Sequence, residues 1–221
     1  MRNSSIIKKH YDKYWQDKKE GFEDYVRNKI LTKLFFKGEE ILDLGCGDGV
    51  VGEALQKKLG AKVIGMDISK AALEKAKDRG IKVILGSSEN RLPFSDQTFD
   101  AVFWGDNAEH LFNPLKTARE VRRVLKPNGR LIISCPNMGY WRYRLYFFLK
   151  GRLPDTEWTG LKPWDWSHIR FFNFALMEDF LAEVGFKRIT RKIGISERRL
   201  DKLLLPFSNS LFGMILIMEA K

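Results

Sequence analysis

Apolar and polar positions alternate along this chain in two rhythms. Near the start, IIKKHYDKYW (residues 6–15) spaces its apolar and aromatic residues as a helix does. After Gly21, YVRNKILTKLFF places Val26, Ile30, Leu31 and Leu34 on one helical stripe, which Gly38 ends. From residue 39 short apolar runs alternate with amphipathic stretches. EEILDLG, KVIGMDI, KVILG, FDAVFWG and RLIISCP read as strands. VVGEALQKKL, SKAALEKAKDRG and PLKTAREVRRVLK read as the helices between them. Ser69 is placed to cap the second of these helices and Gly80 to stop it. Pro114 opens the third, and the turn PNG (127–129) closes it. Several strands are apolar throughout, as expected of a parallel sheet covered on both faces. The pattern predicts a doubly wound α/β fold.

After Pro136 the rhythm changes. MGYWRYRLYFFLKGRLP (138–154) is aromatic, basic and helical in spacing. DTEWTGLKPWDWSHIRFF (155–172) is rich in tryptophan and turn formers and reads as a loop. FALMEDFLAEVGF is a helix stopped by Gly185, KRITRKIGI a strand, ERRLDKLLL a short helix and LFGMILIMEA a last strand. A single domain over residues 1–221 is expected. It has an N-terminal helical cap (1–37), a ligand-binding core (38–137), an insertion acting as lid and substrate wall (138–173), and a C-terminal helix and strands (174–221).

Composition narrows the partners. At 221 residues, 44% apolar and 30% charged, the chain can bury a core of ordinary size. The two cysteines, Cys46 and Cys135, form no CxxC pair or Cys/His cluster, so no structural metal or disulfide is expected. Buried small residues are the expectation for both. The first residues hold no apolar core of a signal peptide, and no run is long enough to span a bilayer, which predicts a cytoplasmic protein. The net charge of +11 is spread over scattered lysines with acids between them, which reads first as a solvated surface. An anionic partner such as RNA is the other reading.

The chemistry concentrates in ILDLGCGDGVVG (41–52), a strand, a glycine turn and a helix start. Such a turn lets backbone approach a ligand closely and offers free N–H donors. Gly47, Gly49 and Gly52 fit GxGxxG, and Asp67 follows twenty residues after Gly47, so a dinucleotide site is one reading. Asp43 opposes it, because a carboxylate leading into the turn repels a pyrophosphate. A ligand that carries positive charge and still needs a ribose acceptor fits better.

LDLGCGDG, VIGMDIS, LPFSDQTFDAVFWGDNAEHL and REVRRVLKPNGRLIISCPN, in this order, resemble the motifs of class I S-adenosylmethionine-dependent methyltransferases. The resemblance spans about residues 41–137. It implies a Rossmann-like, seven-stranded, mostly parallel sheet with the last strand antiparallel, N-terminal helices and an insertion after strand 5. It implies S-adenosylmethionine as cofactor and S-adenosylhomocysteine as product. Asp43, Gly45, Cys46 and Gly47 would hold the methionine moiety. Asp67 would take the ribose hydroxyls, with Ile68 against the adenine. The loop GSSENRLPF has Ser87 or Ser88 where relatives carry the Asp of GDAExLPF, with Glu89 as a further acceptor. Trp104, Gly105 and Asp106 would face the sulfonium. Tyr11 and Trp15 resemble an aromatic lid helix, although core packing explains them too.

The acceptor is less legible. Methyl transfer to a hydroxyl or amine is helped by a base, and His110 and His168 are the candidates, with Asp106, Glu109 and Asp165 beside them. His110 also reads as a residue that orients its loop. A nucleic-acid acceptor needs stacking aromatics and a basic track, which WRYRLYFFLKGR supplies. The NPPY-like tetrad of base-amine methyltransferases is absent, and WGDN stands there. CPNMGYWRYRLYFFLKGRLP is similar to a segment of the MetW family of methionine biosynthesis proteins. SHIRFFNFALMEDFLAEVGF is similar to small methyltransferases of surface-sugar and lipid pathways. The expectation is methyl transfer to oxygen or nitrogen of a small-molecule or glycan-like acceptor. The alternatives are a cofactor-binding regulator of a metabolic enzyme, as the MetW resemblance implies, and an RNA methyltransferase.

Overall fold

A computed structural model describes residues 2–17, 30–156, 160, 162 and 167–221. The expected second N-terminal helix lies mostly outside these, as do Asp165 and most of the tryptophan-rich loop; Ile30 and Leu31 are helical. The elements are α1 (Arg2–Asp17), β1 (Glu40–Leu44), α2 (Val50–Leu59), β2 (Lys62–Asp67), α3 (Lys70–Asp78), β3 (Lys82–Leu85) and β4 (Phe99–Gly105). A 3₁₀ turn (Ala108–His110), α4 (Pro114–Val124), β5 (Leu125–Pro136) and α5 (Trp141–Lys150) follow. The chain ends with α6 (Phe174–Val184), β6 (Ile189–Ile195), α7 (Arg199–Leu204), α8 (Asn209–Phe212) and β7 (Ile215–Ala220). No helix among the described residues is long and apolar enough to cross a membrane.

The seven strands form one sheet in the order β3-β2-β1-β4-β5-β7-β6. β1 to β5 pair in parallel, and β7 runs antiparallel to both its neighbours, β5 and β6. The expected Rossmann-like arrangement is therefore present. Period-two alternation splits the core. Ile41, Ala101, Phe103, Ile132 and Ile217 face α2 and the packed residues Leu31, Leu34 and Phe35. Leu42, Leu44, Val102, Trp104, Leu131 and Ile133 face α4 and α6. Apolar surface is thus buried on both faces, the dominant favourable term in folding.

Local signals act as the sequence suggests. The Ser69 hydroxyl accepts the Ala72 N–H at the start of α3, and Gly80 follows that helix at φ +81°. One boundary differs. The helix expected through Lys126 ends at Val124, since Lys126 precedes a proline and is biased away from helix. Leu125 instead pairs with Phe99, and pairing resumes at Ala101 with Arg130, so the PNG turn is a bulge in β5 where it pairs with β4.

The C-terminal elements are tied to α5 by one buried carboxylate. Asp201 accepts from the Tyr140 hydroxyl, from Trp141 Nε1 at 2.9 Å and from the Ser196 hydroxyl at 2.8 Å. Burial, then the bond to Asp201, pushes the Tyr140 phenol up to about 12. Asp201→Ala should leave three donors without this acceptor and cost about 2–3 kcal/mol in urea denaturation. The same change should return one tyrosine, in an ultraviolet pH titration, from about 12 toward the ordinary range near 10.

Candidate active site

Strand order reverses between β1 and β4, whose chains continue on opposite sides of the sheet. Open α/β sheets bind ligands in the crevice at the carboxyl ends of such strands. A cavity of about 400 Å³ lies there. A second, of about 190 Å³, adjoins it and shares Tyr11, Gly45, Asp67, Ile68 and Asn107.

The turn after β1 forms the floor. Gly45 and Gly47 have φ of +77° and +54°. A Cβ on Gly47 would stand 2.5 Å from the Trp15 ring, so only glycine admits the indole of α1 over the turn. Asp67, at the end of β2, accepts the Gly47 N–H at 3.0 Å and the Ser69 N–H at 2.8 Å. Burial raises its carboxyl above the usual range, and these donors oppose the shift. Asp43 is buried and lines the cavity. The Cys46 thiol packs toward Gly65, and burial followed by the Asp43 charge keeps it protonated. Burial does the same for Cys135.

α1 is the wall above this floor. Tyr11, Tyr14 and Trp15 line the cavity, and Lys75 Nζ donates to the Trp15 carbonyl at 2.6 Å. Asp12, which the sequence did not single out, accepts the Ser69 hydroxyl at 2.7 Å and the Ala71 N–H at 3.3 Å. Burial opposes its ionisation, but these bonds hold its carboxyl below the ordinary range. A carboxylate near the N-terminus of α3 is also favoured by the helix dipole.

Most of the expected ligand-facing residues meet here. Ser87, Ser88 and Glu89 line the smaller cavity with Ile68, and Glu89 also accepts the Asn113 N–H. Gly105 and Asp106 line the larger one; Asp106 sits at φ +46° and accepts the Ser134 hydroxyl. Trp104 does not face the cavity. Alternation along β4 turns it into the α4/α6 core, fully buried, where its Nε1 donates to Asn107 at 2.9 Å. Its neighbour Phe103 takes the cavity-facing position instead. Strand parity, readable in the sequence, distinguishes the two.

The far end of the cavity gathers Glu109, His110, Thr156, Ser167 and His168, with Tyr143 of α5 beside them. His110 Nδ1 lies 3.1 Å from the Ser167 carbonyl, and its ring meets Tyr11 edge-on at 5.9 Å. Burial, then the neighbouring His168, lowers the His110 pKa to about 3, so the ring is neutral near pH 7. Thr156 Oγ1 is 2.6 Å from His168 Nδ1. Asp43, Asp48, Asp67, Asp106 and Glu109 line the larger cavity, and no lysine or arginine does so among the described residues. In a chain of net charge +11 this is a local inversion of sign. It suits a cationic ligand with ribose hydroxyls and disfavours a pyrophosphate, so S-adenosylmethionine fits the residues present.

Asp12→Ala should unhook α1 from α3 at a cost of about 1 kcal/mol. Faster limited proteolysis within α1, with the rest of the chain still protected, is the expected result.

The family described as "Methionine biosynthesis protein MetW" matches residues 24–218, well beyond the segment after β5 that suggested it. A demethylmenaquinone methyltransferase of Symbiobacterium thermophilum is 32% identical, over 81% of each chain. A SAM-dependent methyltransferase structure from Aquifex aeolicus aligns with a TM-score of 0.63 at 23% identity, over 98% of this chain and 97% of that one. A Haloferax volcanii structure, a complex of the Trm112 methyltransferase activator with a methyltransferase, aligns with a TM-score of 0.69 at 17% identity, over 95% and 96%. With the fold and the acid-lined switch-point cavity, these matches show that the chain belongs to the MetW family and has the class I S-adenosylmethionine-dependent methyltransferase architecture.

Proposed function

We propose that the protein binds S-adenosylmethionine and transfers its methyl group to an oxygen or nitrogen of a small-molecule or glycan-like acceptor. The observation that carries this reading is the cavity at the β1/β4 switch point, lined by five carboxylates and by no lysine or arginine among the described residues. When bound, S-adenosylmethionine supplies a methyl group on a sulfonium, which passes to an acceptor lone pair as the carbon–sulfur bond breaks and sulfur keeps the electron pair.

The protein's residues divide the remaining work. Asp67 would take the ribose hydroxyls, Ile68 with Ser87, Ser88 and Glu89 the adenine side, and Asp43 with the glycine turn the methionine end; all of them line the two cavities. Tyr11 and Trp15 exclude water from above, which strengthens the electrostatics inside. The acceptor enters at the opposite end, between Tyr143, His110 and His168, and sheds its proton there. The acid-lined cavity supports a small acceptor over an RNA backbone, which an acidic lining repels.

The exposed outer face of α5 keeps a second reading in play. Phe148 is 80% exposed and Leu149 64%. Such a face suits a protein partner, as expected if the protein regulates a metabolic enzyme through its cofactor.

Calorimetry with S-adenosylhomocysteine tests the cofactor half. The wild type should bind, and Asp67→Ala should weaken binding at least about tenfold, the equivalent of 1.4 kcal/mol. Equal binding by both would overturn the assignment of Asp67. Labelled methyl transfer into a metabolite extract tests the other half; a stable complex with a partner enzyme and no transfer would favour the regulator.

A further inference from the structure

Glu109 and His110 follow β4 in the 3₁₀ turn, and His168 lies well downstream, near the end of the tryptophan-rich loop. The backbone clamps them together. Ile169 and Arg170 both donate their N–H to the Glu109 carbonyl at 2.9 Å, and the Arg170 guanidinium donates to the Phe112 carbonyl at 2.7 Å. One carboxylate oxygen and one nitrogen from each ring then lie within 4.8 Å of one another. We propose that Glu109, His110 and His168 form a binding site for one divalent first-row transition-metal ion, at the acceptor end of the cavity.

The ring orientations support this. A carbonyl can only accept, so the His110 Nδ1 facing Ser167 carries the proton, and its Nε2 keeps the lone pair. The Thr156 hydroxyl can hold His168 Nδ1–H in the same way, while His168 Nε2 points toward Glu109 Oε1 at 3.9 Å. Metal-ligating histidines are held in this manner, the outer nitrogen on an oxygen acceptor and the inner one toward the ion. The rings lie 4.6 Å apart at 62° and are not stacked face to face, so both inner nitrogens can aim at one point. Glu109 is only 2% exposed, and a carboxylate at that depth is favoured by a cation beside it.

The donor set selects the ion. Two imidazoles and a carboxylate suit Zn²⁺, Fe²⁺ or Mn²⁺ better than Mg²⁺ or Ca²⁺, which prefer oxygen. Ligand bonds of about 2.0–2.2 Å require the three side chains to close on the ion by roughly 1 Å. Three protein ligands leave an open position, and because all three line the cavity that position faces it. An acceptor hydroxyl bound there would lose its proton more readily, as metal-bound water does. That last step rests on the proposed methyl transfer; ion binding itself does not.

The test uses chelator-treated full-length protein, with Zn²⁺ for calorimetry and elemental analysis and Co²⁺ for visible absorption. One ion per chain is expected, with a visible Co²⁺ band. Glu109→Gln, His168→Ala and His110→Ala should each weaken Zn²⁺ binding at least tenfold and remove the band. Thr156→Val, which alters no ligand atom, should weaken binding about 10- to 100-fold. His10→Ala, which lines the cavity without belonging to the donor set, should leave it unchanged. S-adenosylhomocysteine binding, measured on every variant, reports whether the fold and the cofactor half persist. No ion uptake by the wild type, or uptake unchanged in Glu109→Gln and His168→Ala, would overturn the site. Cofactor binding without ion uptake would leave the methyltransferase reading intact and remove the metal. Ion uptake without methyl transfer would do the reverse.

Discussion

The glycine-turn half of the cavity depends on the Asp67 carboxylate. It accepts the Gly47 N–H from the turn after β1 and the Ser69 N–H from the start of α3. Ser69 in turn donates its hydroxyl to Asp12 of α1. One acid thus links three parts of the chain that meet only in the folded state. The glycine turn is held open, α3 is capped, and α1 is hooked over the turn so that Trp15 covers Gly47. A carboxylate taken partly out of water is costly unless it is hydrogen-bonded, and here the bonds that offset that cost also shape the floor of the cavity.

Charge sorting reinforces this arrangement. Most of the described lysines and arginines lie at the surface, often beside acids, as Lys57 with Glu53 and Lys126 with Glu40 and Asp100; Arg130 is buried and paired with Glu39. Exposed pairs of this kind contribute little to stability. The cavity instead collects carboxylates, and no lysine or arginine lines it among the described residues. Net charge describes the outside of this protein, and the binding chemistry follows the opposite local sign.

The acceptor end is built differently. Its residues arrive from the 3₁₀ turn, from α5 and from the segment before α6, and backbone bonds from Ile169 and Arg170 to the Glu109 carbonyl join the first of these to the last. Asp201 fixes the start of α5, and through it the position of Tyr143 on the cavity wall.

The fold and the floor of the cavity were legible because both are local in sequence. Continuous apolar strands specify a covered parallel sheet, positive-φ glycines mark the turn, and Asp43 and Asp67 stand at strand ends where their positions follow from the strands themselves. The PNG bulge and the inward turn of Trp104 depended on pairing register and strand parity, which a linear reading registers less firmly. Asp12 was illegible because its partners, Ser69 and Ala71, are almost sixty residues away. The grouping of Glu109 and His110 with His168 needed the tertiary structure most of all. No spacing in the chain announces it, since the three side chains converge only after the segment before α6 folds back onto the turn that follows β4. The sequence by itself determined the glycine turn and the strand-end acids that favour a cationic ligand, because both are local to their strands; the chain's return across the crevice decided what stands opposite them.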